Sequence, residues 1–193
     1  MTIPVTWNGI EYTCAVTVAP DAWAFPVGEQ GYPPERWYCA TYHGPNANYA
    51  SGYHTGIDLN LDVAPWGDVE RTLGMSVFAL APGVVEWVGQ WSGTGTAVIR
   101  HEHDGAPLWV RYAHIVPAVK VWDVVKAGDK LGPFDNWSPA QPSRGDHLHL
   151  DMCVRRIKPL DWCTSPLSEW LDPVPVLKAH LDPARVDAML ERG

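Results

Sequence analysis

The stretch GDHLHLD, residues 145–151, contains two histidines two positions apart, His147 and His149. In a β-strand their side chains point to the same face. Two imidazoles in one small volume can hold a metal ion, and an ordinary pair of strand residues is the alternative. A second such pair, His101 and His103, lies in RHEHDG. Because about 0.3 pairs of this kind are expected by chance in such a chain, the spacing alone does not choose between them.

The surroundings of the two pairs differ. Asp104-Gly105 predicts a hairpin turn beside the pair at residues 101–103, so we expect that pair to lie at a polar, solvated turn. The pair at residues 147–149 alternates with leucines, as in a strand with one buried face. This second pair is therefore the better candidate for chemistry.

A zinc site needs three or four N, O or S ligands about 2.0 to 2.3 Å from the ion. Asp151 shares the face of the histidine pair, but it lies about 13 Å from His147 along an extended strand. We therefore expect it to have a supporting or structural role. His54 and Asp58, in YHTGIDLN, are the better donors, since Gly56 between them lets the backbone fold so that both converge. This spacing is also weak evidence alone, with about 0.6 occurrences expected by chance.

Three further side chains are candidates. His114, in WVRYAHI, shares a predicted strand face with Tyr112, and burial as a core histidine is the alternative to a functional role. Tyr49 and Tyr53 lie just before His54 and could reach an oxyanion, although packing in the core or at the rim explains each of them.

The composition limits the classes of function. The chain has 193 residues, 46% hydrophobic and 19% charged, which indicates one globular domain with small additions. A formal net charge of −8 argues against electrostatic binding to nucleic acid or to an anionic membrane. We also expect a monomer.

Four cysteines are present and none has the Cys-x-x-Cys spacing of a zinc knuckle. Cys14 with Cys39, and Cys153 with Cys163, could form two local disulfides. Buried free thiols are the alternative, because the sequence does not reveal the redox compartment.

The pattern predicts a mostly β fold, in which an antiparallel sheet core with long loops is accompanied by an N-terminal hairpin and short C-terminal helices. Asn8-Gly9 predicts the hairpin turn, and residues 20–53 and 54–74 are predicted as loops. Asp182-Pro183 marks a helix start. Further strands are predicted in MSVFALAPGVVEWVGQW, broken at Pro82-Gly83, in TAVIRHEH and PLWVRYAHIV, around the Gly128-Asp129 turn of VVKAGDKLG, and in HLHLDMCV.

These segments suggest three parts. Residues 1–22 form the hairpin extension, residues 23–172 the main domain, and residues 173–193 a helical tail.

Taken in order, His-x-x-x-Asp, Tyr-x-His and His-x-His resemble the lysostaphin-type zinc endopeptidases of bacterial cell walls. The similarity covers about residues 52–160 and includes five ordered pieces: YHTGIDLN, VFALAPGVVEWVG, TAVIRHEHDGAPLWVRYAHI, VVKAGDKLG and GDHLHLD. Each piece is weak alone, but their order makes the set specific.

The resemblance implies roles for five residues. His54, Asp58 and His149 would bind one Zn²⁺ per chain, and His114 and His147 would act as catalytic histidines. The substrate would be a peptide of peptidoglycan, either a cross-bridge or a stem peptide.

Two other functions are compatible with the residues. One is a non-catalytic wall-binding or regulatory module of the same fold. The other is a different zinc hydrolase, such as a D-alanyl-D-alanine carboxypeptidase-like enzyme. The start of the chain lacks the pattern of a signal peptide. We therefore expect either a phage-encoded lysin or a secreted protein whose leader has been removed, acting at the cell wall in both cases.

Overall fold

The structure is a computed structural model that describes residues 2–7, 10–15, 23–28, 34–49, 51–61, 74–135, 147–158 and 167–190. Its strands are β1 (Thr2–Trp7), β2 (Ile10–Ala15), β3 (Trp37–Thr41), β4 (Gly44–Pro45), β5 (Tyr53–His54), β6 (Gly56–Leu61), β7 (Ser76–Phe78), β8 (Gly83–Trp91), β9 (Thr94–His103), β10 (Ala106–Ala113), β11 (Val124–Val125), β12 (Lys130–Pro133), β13 (Leu148–Cys153) and β14 (Trp170–Leu171). Two helices follow, α1 (Pro173–His180) and α2 (Pro183–Leu190).

The main sheet contains eight strands of the described chain, in the order β11-β8-β9-β10-β13-β6-β3, with β14 beside the end of β13. Each pair in it is antiparallel. Smaller two-stranded pairs join β1 to β2, β12 to β7 and β4 to β5. The predicted antiparallel β class is confirmed.

The two faces of the sheet have different chemistry because successive side chains alternate. One face, here called the core face, carries buried apolar side chains such as Ile57, Ile99 and Leu150. Buried residues of α1 and α2, among them Leu177 and Met189, belong to the same core. The opposite face, here called the site face, therefore bears the polar residues that alternate with this core.

Several predicted elements are confirmed. Strands β1 and β2 pair through Trp7 and Ile10, although the turn between them lies outside the described residues. The β9–β10 hairpin turns at Asp104 and Gly105, whose φ angles are 51° and 76°. The helix predicted at Asp182-Pro183 is α2, and its start is capped by Asp182, whose carboxylate accepts from Ala184 N at 3.0 Å.

The prediction that residues 20–53 and 54–74 are loops is wrong in part, because both segments contribute a strand to the main sheet. Residues 20–53 contain β3, and residues 54–74 contain β6, which lies between β3 and β13 in the main sheet. Four consecutive positions at the start of β6 are buried, so its sequence shows no simple alternation of apolar and polar residues. Proline and glycine in the neighbouring segments added to the appearance of a loop.

The core shared by the sheet and the two helices places residues 173–190 against the main domain. The boundaries proposed near residues 22 and 172 stay predictions. Among the described residues, no helix is long and apolar enough to cross a membrane.

Cys39 and Cys153 are buried free thiols, as in the second of the two predicted alternatives. Burial, with a smaller contribution from Asp58, raises the pKa of Cys39 to about 12, which keeps this thiol protonated. Cys163 and the side chain of Cys14 lie outside the described residues.

Candidate active site

The predicted metal ligands meet on the site face of the sheet. Asp58 in β6 and His149 in β13 are directly opposite each other in the antiparallel pair. His54, at the end of β5, completes the group. Its Nε2 lies 3.2 Å from Asp58 Oδ1 and 3.0 Å from His149 Nδ1, and His149 Nδ1 lies 2.9 Å from Asp58 Oδ1. All three residues are buried.

The ring of His54 is oriented by the backbone of the preceding segment. Its Nδ1 lies 3.1 Å from the carbonyl oxygen of Tyr42. Because a carbonyl only accepts, Nδ1 carries a proton and donates it, which turns Nε2 toward Asp58 and His149.

Gly56 contributes to this geometry in a different way from the one predicted. A Cβ atom at this position would lie 2.2 Å from Leu150 O and 2.7 Å from Asp151 Cβ. Gly56 therefore lets β6 approach β13 closely. The convergence of His54 and Asp58 is confirmed, but it follows from strand packing, with Thr55 separating β5 from β6.

A chain of buried groups holds His149 from behind. Its Nε2 donates to Asp151 Oδ2 over 3.0 Å. The same carboxylate oxygen accepts from Thr55 Oγ1 at 3.1 Å and from the guanidinium of Arg111. A carboxylate behind a ligand histidine fixes its tautomer and its orientation. Asp151 is thus placed in the supporting position that its distance from His147 predicted.

Arg111 is itself held in place. Its guanidinium carbon lies 3.9 Å from the ring centroid of Trp91 and 5.2 Å from that of Trp170. Its side chain is 1% exposed and that of Asp151 is 0% exposed, so the ion pair is shielded from solvent. Such burial makes both partners necessary, because either one alone would be an uncompensated buried charge.

The charges of the site are strongly coupled. Burial alone would raise the pKa of Asp58, but hydrogen bonds from His149 and His54 hold it well below its usual value. Burial alone would raise the pKa of Asp151 as well, but Arg111 and His149 lower it to about 2. Burial lowers the pKa of His149, yet Asp151 and Asp58 outweigh it and raise the value to about 9. Both carboxylates are therefore ionised and favour a cation between them.

The two predicted catalytic histidines lie next to this cluster and next to each other. The ring centroids of His114 and His147 are 4.6 Å apart in an edge-to-face arrangement. His147 Nε2 lies 3.7 Å from Asp58 Oδ1, and the ring of His114 lies 6.3 Å from that of His149. The structure therefore brings all five predicted site residues together.

His114 reaches the site by a route that strand alternation does not predict. Strand β10 ends at Ala113, and His114 has a φ of 65°. Tyr112 points into the core, where its hydroxyl lies 3.0 Å from His101 Nε2. The expectation that Tyr112 and His114 share a face is wrong, because the left-handed backbone at His114 turns its side chain toward the site face.

Burial, together with the neighbouring charges of His147 and His149, holds the pKa of His114 well below its usual value. Its Nδ1 lies 2.6 Å from Thr94 Oγ1, which can donate to Trp91 O over 3.4 Å. Because the hydroxyl proton is used in that way, His114 Nδ1 donates to Thr94, and the neutral ring carries its proton on Nδ1. His114 is thus a neutral imidazole near pH 7.

The two tyrosines have different positions. Tyr49 stacks on His54, with ring centroids 4.8 Å apart, and its hydroxyl donates to Asp58 Oδ2 at 3.2 Å. The ring of Tyr53 packs edge-on against His43. Tyr49 therefore belongs to the site, and Tyr53 has the packing role given as its alternative.

The solvated turn predicted for the pair His101 and His103 is wrong for His101. This side chain is fully buried on the core face, between Pro82 O at 3.1 Å and Tyr112 OH at 3.0 Å. His103, nearer the turn, is half-buried. Strand pairing continues as far as His103, which lies opposite Ala106. His101 is therefore inside the β9–β10 ladder and not in the turn at Asp104-Gly105.

Beyond Asp151 and Tyr49, the sequence does not identify the residues that support the site. Thr94, Arg111 and Trp91 come from neighbouring strands, and no short motif connects them to the histidines. Alternation provides one partial signal, since Arg111 is a charged residue among apolar neighbours in a predicted strand.

The donor atoms of His54, Asp58 and His149 are suited to binding a metal ion. Two imidazole nitrogens and a carboxylate oxygen are typical zinc donors, and ligands at such bond lengths lie about 3.3 Å apart on a tetrahedral ion. The three observed separations, 2.9 to 3.2 Å, are close to this value. A cation would also balance Asp58, whose ion pairs in the described structure are all with histidines.

Comparison with known proteins agrees with the fold and the site. The chain belongs to Peptidase family M23, which residues 52–161 match. It is therefore a lysostaphin-type metallopeptidase by family. A search of curated proteins gives no match.

Solved structures show the same fold. The catalytic domain of the antimicrobial peptidase lysostaphin from Staphylococcus simulans is 24% identical, with a TM-score of 0.56, over 75% of this chain and 95% of that chain. LytU is 24% identical, with a TM-score of 0.56, over 77% and 89%. Another structure of lysostaphin is 22% identical, with a TM-score of 0.57 over 76% of this chain, and the match spans 52% of its length. The chain thus corresponds to about half of that protein.

Proposed function

We propose that this protein is a zinc-dependent endopeptidase that hydrolyses peptide bonds in bacterial peptidoglycan. The observation that carries the proposal is the meeting of His54 Nε2, Asp58 Oδ1 and His149 Nδ1 within 3.2 Å, beside a second pair of histidines. Membership of a metallopeptidase family and the resemblance to cell-wall endopeptidases support the reaction and the substrate class.

His54, Asp58 and His149 would hold the zinc. Three protein ligands leave a fourth position open, as in catalytic rather than structural sites. When bound, zinc supplies a Lewis acid for the scissile carbonyl and lowers the pKa of water toward about 7. One carboxylate and two neutral imidazoles leave the site with net positive charge, which suits a developing oxyanion.

The other two histidines of the site, His114 and His147, would transfer protons. His114 is held neutral by its burial, so its Nε2 can accept the proton of the attacking water. His147, whose ring centroid lies 4.6 Å from that of His114, would stabilise the oxyanion or protonate the leaving amine. Tyr49 OH is engaged with Asp58 and helps to hold that carboxylate.

Asp151, Arg111 and Thr55 act on the site without contacting substrate. They fix His149 with Nε2 turned away and Nδ1 turned toward the other ligands. Because these groups are buried, the site is organised before substrate arrives, which limits the reorganisation needed during the reaction.

The proposal is tested by metal content and hydrolysis measured on the same samples. The purified protein should contain zinc and release peptide fragments from purified peptidoglycan, and Asp58→Ala should lose this hydrolysis together with the zinc bound at this site. Tyr53→Phe is the matched control, since that ring packs against His43. A zinc-loaded protein that leaves peptidoglycan of two cross-bridge types intact would contradict the proposal and favour a non-catalytic module.

Mass spectrometry of the fragments identifies the bond. Cleavage within a cross-bridge or stem peptide is expected. Release of a single terminal D-alanine would instead indicate the carboxypeptidase-like activity. Action at the cell wall follows from this substrate, and a phage lysin is one source of such an enzyme.

A further inference from the structure

A second group of metal donors lies on the core side of the sheet, where the tip of the β9–β10 hairpin meets the end of α1. It consists of His103, Asp104 and His180. His103 Nδ1 lies 2.8 Å from His180 Nε2, and His103 Nε2 lies 3.6 Å from Asp104 Oδ2. One donor atom from each residue lies within 4.8 Å of the others.

The two imidazoles are held in place by packing. His180 stacks on Trp23, with ring centroids 4.1 Å apart and an interplanar angle of 6°. His103 meets the same indole edge-on, at 6.3 Å. Trp23 thus fixes both rings while their nitrogens face each other.

The two chain segments that carry the donors are also well defined. Asp104 occupies the left-handed region of a tight turn, and Gly105 follows it in the same region. His180 is the last residue of α1, where the partial negative charge of the helix end favours a cation. The side chain of Asp104 is 82% exposed, so its carboxylate can rotate toward an ion without disturbing the fold.

We propose that His103, Asp104 and His180 form a second site, for a divalent transition-metal ion such as Zn²⁺. A donor set of two imidazole nitrogens and one carboxylate oxygen favours such ions over Mg²⁺ or Ca²⁺, which take oxygen ligands. An ion at this place replaces the proton shared between the two rings and joins the hairpin tip to α1. Its role is therefore structural: it would hold the C-terminal helices against the sheet. This role is independent of the proposed catalytic zinc.

Titration of the metal-free protein with Zn²⁺, followed by calorimetry and elemental analysis, tests this site. The whole chain should bind two equivalents. His180→Phe removes the donor and keeps an aromatic ring on Trp23, so it should bind one equivalent and hydrolyse peptidoglycan as the unchanged protein does. Two equivalents bound by folded His180→Phe would overturn the proposal.

The His149→Ala variant allows zinc binding at this second site to be measured without binding at the first. His149→Ala should retain one equivalent, and adding His180→Phe should remove it. If the proposed catalytic site does not bind zinc, the unchanged protein should still bind one equivalent of Zn²⁺, and His180→Phe should bind none. A His149→Ala chain that binds no zinc contradicts the second site whatever the result at the first.

Asp104→Asn gives a variant with little risk of misfolding, because asparagine tolerates the left-handed backbone. It should weaken Zn²⁺ binding at the second site by about tenfold or more, since even outer partners of metal ligands contribute that much. Asp123→Asn makes the same change at another exposed turn, where the carboxylate accepts from Lys120 N. Equal affinities for the two variants would remove Asp104 from the site.

Discussion

His147 and His149 are two positions apart, yet different atoms surround them. His149 has one ring nitrogen in the His54 and Asp58 cluster and the other on Asp151. His147 lies beside His114, and its Nε2 is 3.7 Å from Asp58. The neighbouring side chains, rather than the spacing in the sequence, thus separate a proposed ligand from a proposed proton-transfer group.

Substitution should separate these roles. His147→Ala and His114→Ala should each keep zinc and lose a factor of about 10² or more in turnover, the usual scale for a positioned acid or base. His149→Ala should lose the zinc at this site. Metal content and hydrolysis are measured on the same folded samples.

The double variant adds a further check. The losses from His114→Ala and His147→Ala should not multiply if the two side chains act together on one water. An active His147→Ala enzyme would make His147 structural, and zinc loss in that variant would make it a ligand.

Asp151 should influence the metal without touching it. Asp151→Asn removes the charge that pairs with Arg111 and orients His149, so we expect zinc affinity to fall about 10- to 100-fold. Competition with a chelator of known affinity measures the change. Thr55→Val removes a neutral hydrogen bond to the same carboxylate and should have a smaller effect. An unchanged affinity in folded Asp151→Asn would show that Asp151 only supports packing.

At the scale of strands, the contact between β6 and β13 sets the position of the proposed ligands Asp58 and His149. Their pairing places His149 opposite Asp58, and Gly56 opposite Asp151. The absence of a side chain at Gly56 lets the two backbones approach. This contact also brings Thr55 within hydrogen-bonding distance of Asp151.

Gly56→Ala should therefore disturb both stability and the site. With a Cβ atom 2.2 Å from Leu150 O, we expect about 3 kcal/mol or more of destabilisation, together with weaker zinc binding. Gly52→Ala is the control, because its φ of 70° costs on the order of 1 kcal/mol while the space around it is open. Urea denaturation measures both, and equal losses would contradict the close-approach argument.

Strand register also explains the pH response expected of His101. Burial on the core face lowers its pKa from 6.5 to about 4. As the pH falls below about 6.5, the unfolded chain binds a proton that the folded protein does not bind until near pH 4. Stability should therefore decrease across this window, by on the order of 3 kcal/mol from His101 alone.

Urea denaturation of the protein between pH 7 and pH 4.5 tests this dependence. His101→Gln keeps a polar side chain but does not titrate in this range, so its stability should fall less steeply. The same slope in both proteins would show that other groups cause the loss.

For the whole molecule, binding of the proposed zinc would be coupled to folding. A ligand that binds only the folded state stabilises it by about 4 kcal/mol at a thousandfold excess over its dissociation constant. For a domain of this size we expect removal of metal by a chelator to lower Tm by about 10 °C. Calorimetry with and without chelator measures the shift.

Asp58→Ala should show a smaller shift, from the proposed second site alone. Addition of Zn²⁺ in excess should restore the original Tm of the unchanged protein. A Tm that is insensitive to chelator, in a protein that contains zinc beforehand, would contradict the coupling.

The sequence by itself determined the class of fold, the family resemblance and the five residues that meet in the site. Local patterns were sufficient for the β9–β10 hairpin and for the start of α2, because turn and capping chemistry depend on neighbouring residues. The ordered motifs identified His54, Asp58, His114, His147 and His149 together.

Only the tertiary structure decided the face and surroundings of each residue. The register of β9 and β10 buries His101, and the left-handed backbone at His114 turns it away from the face of Tyr112. The support of His149 by Asp151 and Arg111 likewise depends on strands distant in the sequence. These features could not be predicted because they arise from pairing between segments, while the sequence shows directly only what each segment favours alone.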